Sequence, residues 1–205
     1  MEQVGQNRNQ DAGADRSMMP GYFYKPSPMG SPWQFRLDPD HLVWMIGRKS
    51  GSVRYDRIGH IRLSFRPATM QTYRFLAEIW PVGGPKLTLA SSSWRGLIQQ
   101  ERLDRPYRDF LIALHQRIAL AGGKAVLQAG SPPAFYWPGL VLFGAMVLGF
   151  GALLLRAIQQ GSWPVTFLIA GFFVSLLWQI GGMLRRNYPR RYALDAIPED
   201  LLPKP

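Results

Sequence analysis

From residue 52 to residue 66, basic and apolar residues alternate. Ile61, Leu63 and Phe65 hold one parity, and His60, Arg62, Ser64 and Arg66 hold the other. Successive side chains of a strand point to opposite faces, so a period of two separates a core face from a wet one. The first set is expected inside and the second outside. The segment 72–79 repeats the pattern, with Tyr73, Phe75, Ala77 and Ile79 inward and Thr72, Arg74 and Glu78 outward. The spacing predicts a sheet whose outer face is basic, with Arg36, Arg62, Arg66 and Arg74 as candidates to meet an anion or an acidic partner.

Shorter strands are expected at 33–37, 42–46, 53–55 and 86–90, separated by turns at DPD, RKSGS and PVGGP. A helix is expected from Pro106 to Gly122, with Asp104 as N-cap and Pro106 tolerated in the first turn. Its residues Tyr107, Phe110, Leu111, Leu114, Ile118 and Ala121 form one apolar stripe that needs a sheet to cover, while Arg108, Gln116 and Arg117 stay outside and His115 falls on the exposed or border side. Residues 1–32 are polar, rich in Gly, Pro and Asn, and without periodicity, so they read as a disordered tail; Tyr22, Phe23 and Tyr24 form its one aromatic knot, able to dock elsewhere. The expected organisation is this tail, a sheet-and-helix domain at 33–123, a linker at 124–133, and an apolar region at 134–184 followed by 185–205.

The apolar region changes the picture. Residues 134–155 and 165–184 carry no charge, and the first, 22 residues long, spans roughly 33 Å as a helix, the thickness of a bilayer's hydrocarbon. Both are apolar on every side, and the short connection 156–164 allows only an antiparallel return, so a transmembrane hairpin is predicted. Ala145 with Gly149, and Gly171 with Ser175, place small residues four apart, a spacing that lets helices approach closely, either within the hairpin or against a partner's helix. Arg185, Arg186, Arg190 and Arg191 follow the second segment, whereas only Arg156 lies between the two. By the positive-inside rule both termini are expected in the cytoplasm, in agreement with the arginine-rich front and the lack of a signal peptide before it. Tyr136, Trp137, Trp163 and Tyr188 sit at segment ends, where amphipathic rings favour the headgroup region.

The formal charge of +11 points to an acidic partner. Nucleic acid is the poorer choice, because core parity accounts for the aromatics among the strands and no RNA- or DNA-reading motif occurs. The chain contains no cysteine, which removes disulfides, thiolate zinc sites and a cysteine nucleophile. His41, His60 and His115 stand in no metal-ligand spacing, Ser91, Ser92 and Ser93 lack a nucleophile elbow, and Gly83 and Gly84 make a turn rather than a phosphate loop. No cofactor, metal or small-molecule substrate is expected. Beyond the arginines, Asp195, Glu199 and Asp200 reverse the charge, and Ile197, Leu201 and Leu202 are apolar without an evident core: either a loose terminus or a docking segment.

In GSVRYDRIGHIRL a Gly turn precedes Val53, Tyr55, Ile58, Ile61 and Leu63. This stretch, with a closing amphipathic helix and a hydrophobic hairpin after it, resembles the bacterial pleckstrin-homology-like membrane proteins. The resemblance covers the layout of residues 33–184. It implies an α+β membrane protein: a small antiparallel sheet or partly open barrel capped by one helix, followed by two spans in the bacterial inner membrane. The function expected is a non-enzymatic scaffold or accessory subunit that contacts membrane lipids and other membrane subunits. The alternative is a regulator that reads anionic headgroups through the basic face.

Overall fold

A computed structural model of the chain describes residues 20–67, 73–96 and 99–204, without the side chains of Pro67 and Tyr73. The expectations placed on residues 1–19, on Thr72 and on the Tyr73 side chain lie outside these residues. The chain is α+β. Strands β1 (Gly21–Tyr24), β2 (Trp33–Leu37), β3 (His41–Ile46) and β4 (Lys49–Arg54) form an antiparallel meander. A 3-10 turn, Tyr55–Arg57, leads to β5 (Ile58–Pro67), β6 (Tyr73–Pro81) and β7 (Leu87–Ala90). A small hairpin, β8 (Ser92–Trp94) and β9 (Gln100–Arg102), precedes helix α1 (Asp104–Leu120) and strand β10 (Val126–Ala129). Two long helices, α2 (Pro133–Gln159) and α3 (Trp163–Arg186), follow, then β11 (Arg190–Arg191) and a last 3-10 turn, Glu199–Leu201. The second sheet has the order β11-β10-β5-β6-β7 and is mixed, because β10 runs parallel to β5. Neither of these sheets closes: where one small antiparallel sheet or partly open barrel is expected, two open sheets, the second of them mixed, share one core.

The predicted inward set is buried. Ile61, Leu63, Phe65, Ala77 and Ile79 lie in the core, and α1 lays Tyr107, Phe110, Leu111, Leu114 and Ile118 against them, whereas Ala121 lies exposed just past the helix end. The outward parity is followed only in part, because Ser64, Leu76 and Glu78 are buried as well. Asp104 is the first residue of α1 rather than its cap, and it pairs with Arg102. The RKSGS stretch is mostly strand. Its turn lies at Gly47 and Arg48, where Gly47 takes φ +60° at the first central position of a two-residue hairpin, as a type II′ turn requires. Gly51 sits within β4 because the Trp44 ring lies against it: an added Cβ would fall 2.6 Å from the ring.

Residues 21–24 are ordered, not part of a loose tail. The Tyr22 hydroxyl donates to the Ala90 carbonyl and the Tyr24 hydroxyl to that of Thr88, both at 2.5 Å, so the two rings stitch β1 of the first sheet to β7 of the second. Burial raises both phenols above their ordinary pKa, Tyr22 further helped by Tyr24.

The stretch 124–133 is not a bare linker, and residues 187–202 are not a loose terminus. β10 lies along β5, β11 pairs with β10, and Leu201 and Leu202 are buried in the core. Glu199 receives two bonds of 2.8 Å from Arg108, and Asp200 pairs with Arg190. His115, expected at the border, is buried, because Tyr192 of the returning tail reaches its Nε2 at 3.0 Å while Nδ1 meets the Leu111 carbonyl at 2.8 Å. The domain therefore includes chain from both sides of the long helices, which leave and re-enter the same sheet.

α2 and α3 run past the predicted limits at both ends. Their most apolar windows have mean hydropathies of 2.2 and 1.9 with none of those residues buried, which is compatible with a transmembrane hairpin. The two helices meet through Phe150, whose ring lies 5.5 Å from that of Phe172 and 6.2 Å from that of Phe173. The small-residue steps take no part. Ala145 and Ser175 are exposed, and an added Cβ at Gly149 or Gly171 would meet nothing within 4 Å.

Candidate functional site

Strand register arranges the outer face of the second sheet in rows. Arg191 lies beside Gln128, Gln128 beside Arg62, Arg62 beside Glu78 and Glu78 beside Thr88. Toward the helices comes the row of Ser64 and Leu76, then that of Arg66 and Arg74; away from them stand His60 and Trp80. Arg62, Arg66 and Arg74 thus share one face of this sheet. Arg36 does not belong to it: it lies on β2 of the other sheet, where Asp38 takes its guanidinium at 2.6 and 3.2 Å.

The face is not simply solvated. Glu78, expected outside, is 5% exposed. Its carboxylate can be buried because Lys86 Nζ reaches Oε1 at 2.5 Å and Arg66 Nη2 stands 3.8 Å from Oε2. The Trp80 ring carries three neighbours: His60 stacked at 4.6 Å, Lys86 Nζ at 4.9 Å and Arg62 Cζ at 5.2 Å from its centroid. Burial first, and Arg62 second, hold the His60 imidazole below its ordinary pKa, so it is neutral beside these cations. Three buried polar atoms of the face, His60 Nε2, Ser64 Oγ and Arg74 Nε, have no hydrogen-bond partner. Arg62 donates from Nη2 to Gln128 Oε1 at 2.9 Å. Among the described residues neither Arg62, Arg74 nor Arg191 has a carboxylate within ion-pair distance.

Where β10 and β11 meet the long helices, a clamp sets the geometry. Asn187 follows α3 and is 5% exposed. Its Nδ2 donates to the Phe65 carbonyl at 2.6 Å and to the Met183 carbonyl at 3.1 Å, and its Oδ1 accepts the Phe65 amide at 2.9 Å. Its own carbonyl accepts the Ser131 amide at 3.0 Å. Gly130 lies opposite at φ +87°, where an added Cβ would fall 2.5 Å from the Asn187 carbonyl oxygen, so only glycine permits this approach. Arg186 rests its guanidinium over the Phe65 ring at 4.8 Å. Tyr136 packs edge-on against Trp137 and Tyr188 at the same level.

Beside the clamp opens a cavity of about 370 Å3, lined by Arg62, Gln128, Gly130, Arg190 and Arg191 and by Pro133 and Pro189, the residues through which the chain enters α2 and leaves α3. Of the four arginines expected to mark the end of the hairpin, Arg190 and Arg191 thus line this mouth, Arg186 caps Phe65, and Arg185 lies in the last turn of α3. Sequence reasoning missed Gln128, Gly130 and Asn187, which sit in segments without periodicity. The serines serve the scaffold: Ser91 Oγ accepts the Phe75 amide and Ser93 Oγ the Lys25 amide, each at 3.0 Å. Among the described residues no group of three His, Asp or Glu side chains gathers as a metal site. No family model matches the chain, and neither a curated protein nor a solved structure matches it.

Proposed function

We propose that the chain is a non-enzymatic protein of the bacterial inner membrane, in which a cytoplasmic pleckstrin-homology-like domain, held on a transmembrane hairpin, serves as a scaffold or accessory subunit of a membrane assembly. The layout of short strands, one amphipathic helix closing the core and then two long apolar helices supports the domain reading. Arg185, Arg186 and Arg191 at the foot of the hairpin, against Arg156 alone at its tip, favour a cytoplasmic domain. The observation that carries the role is the splice: the hairpin leaves from β10 and returns through β11 into one sheet, and Asn187 bonds it to β5. A domain joined by a flexible tether can point anywhere, whereas two paired strands and the Asn187 bonds tie this one to the hairpin. The open small-residue faces at Ala145 and Gly149 and at Gly171 and Ser175 offer the approach that a partner's helix needs.

Because the chain has no cysteine, a single Gly149→Cys or Gly171→Cys variant can carry a photo-cross-linker in native membranes. The expected result is a discrete adduct with a different polypeptide from both positions and only internal adducts from Phe173→Cys. Adducts with lipid or with a second copy alone overturn the accessory-subunit role. Shedding of the protein from alkali-washed vesicles, or digestion of the domain by protease from the periplasmic side, overturns the membrane reading. The unpaired cations at the foot of the hairpin favour a second reading, a regulator that responds to anionic lipid.

A further inference from the structure

We propose that the cavity at the foot of the hairpin is a binding site for a phosphate group of net negative charge, presented by an anionic phospholipid of the adjoining leaflet or by a small soluble phosphate ester. The lipid source rests on the membrane reading above; the phosphate chemistry does not. Three arginines line the cavity. Asp200 balances Arg190, but Arg191 is exposed and pairs with no carboxylate among the described residues, and the partner of Arg62 is the neutral Gln128 amide. The carboxylate nearest Arg62 along the sheet, Glu78, is already held by Lys86 and Arg66. Two positive charges are therefore left uncompensated over one concavity.

Their form suits phosphate in particular. A guanidinium offers a planar fork of donors that matches two phosphate oxygens, and it stays charged at any physiological pH. Arg62 is held before any ligand arrives, by Gln128 at one nitrogen and by the Trp80 ring beneath Cζ, so little side-chain freedom remains to be lost on binding. The depth also fits. Pro133 opens α2 and the uncharged run starts at Ala134, which puts the cavity at the level of lipid phosphates when the hairpin spans a bilayer. The larger cleft of about 620 Å3, lined by His41, Arg54, Asp56 and Arg57, includes no residue of the two long helices, and because Arg54 pairs with Asp56 it offers one arginine rather than two.

The test uses the full chain purified in mild detergent, with Arg191→Gln, with Arg62→Gln combined with Arg191→Gln, and with Arg36→Gln as a control on the other sheet. One arm adds phosphatidylglycerol or phosphatidylcholine and counts retained lipid by native mass spectrometry. The other adds inorganic phosphate or glycerol 3-phosphate, against chloride at equal ionic strength, and reads the thermal midpoint. Selective retention of phosphatidylglycerol is expected, about fivefold weaker for each arginine removed and unchanged in Arg36→Gln. A midpoint shift by the soluble esters that depends on the same arginines, without lipid selectivity, assigns the site to a soluble phosphate. Equal retention of both lipids together with no phosphate-dependent shift overturns the proposal, as does any lipid or phosphate effect that survives in the double variant. If the double variant has a lower ligand-free midpoint, Arg191→Gln alone decides, since that side chain is exposed and makes no hydrogen bond or ion pair among the described residues. If alkali strips the protein from membranes, the membrane reading fails alone and the soluble arm still decides.

Discussion

Replacing Asn187 tests whether the clamp holds the hairpin to the domain. In Asn187→Leu the Phe65 amide, the Phe65 carbonyl and the Met183 carbonyl each lose their bond to the Asn187 side chain, and Phe65 is only 5% exposed. A hydrogen bond lost from the interior costs about 0.5–1.5 kcal/mol. At about 1 kcal/mol for each bond, because leucine refills most of the volume, the loss is about 3 kcal/mol. For a chain of this length that lowers the thermal midpoint by about 6–12 °C. Asn187→Asp makes the comparison sharper. It is isosteric and keeps an acceptor for the Phe65 amide, but it removes both donations and turns a carboxylate oxygen toward two carbonyls, so it should cost at least as much as leucine. Thermal unfolding in mild detergent gives the midpoints, and hydrogen exchange at the Phe65 amide reports the bond itself. If both variants melt within about 2 °C of the parent, or if the Phe65 amide stays protected, the bonds do not carry the clamp.

Two further predictions concern the core. The Tyr107 hydroxyl is buried without a hydrogen-bond partner, whereas that of Tyr22 donates to Ala90, so Tyr107→Phe should be neutral or mildly stabilising and Tyr22→Phe should cost about 1 kcal/mol in urea unfolding. An equal loss in both would refute the assignment of these two hydroxyls. Burial holds His115 below its ordinary pKa of 6.5, so on acidification the unfolded chain takes up a proton there that the folded chain refuses. Stability is then intact above about pH 6.5 and falls below it, by at most about 1.4 kcal/mol per pH unit until the folded-state pKa is reached. His60, lowered in the same direction, adds to the slope. His115→Gln should flatten the dependence of the midpoint on pH between about 7.5 and 5.5, and an unchanged slope would place the titration elsewhere.

What could be read from the sequence was whatever repeats locally. A period of two placed Ile61, Leu63 and Ile79 inside, and two uncharged runs marked α2 and α3. What could not be read depends on distant chain. Glu78 is buried because Lys86 and Arg66 neutralise it, and His115 because Tyr192 returns from 77 positions away. β10 and β11 are too short to show a period, and their pairing brings together residues on opposite sides of the hairpin. The Asn187 bond to Phe65 crosses 122 positions, with no pattern in either residue to announce it. Gly and Pro around Tyr22 and Tyr24 signal turns, yet the two hydroxyls find carbonyls on β7 and order the strand.

The position of the two long helices inside the domain, rather than after it, governs the order in which the protein can be completed during synthesis. When β10 leaves the ribosome it has no neighbour on its outer side, His115 lacks Tyr192, and the space for Leu201 and Leu202 is empty. Those groups emerge only after both helices have been made. Sealing of the sheet is thus a late event that reports on the helices: a chain whose hairpin went astray would keep a raw strand edge and an unfilled core, the features by which quality-control proteases and chaperones distinguish unfinished proteins.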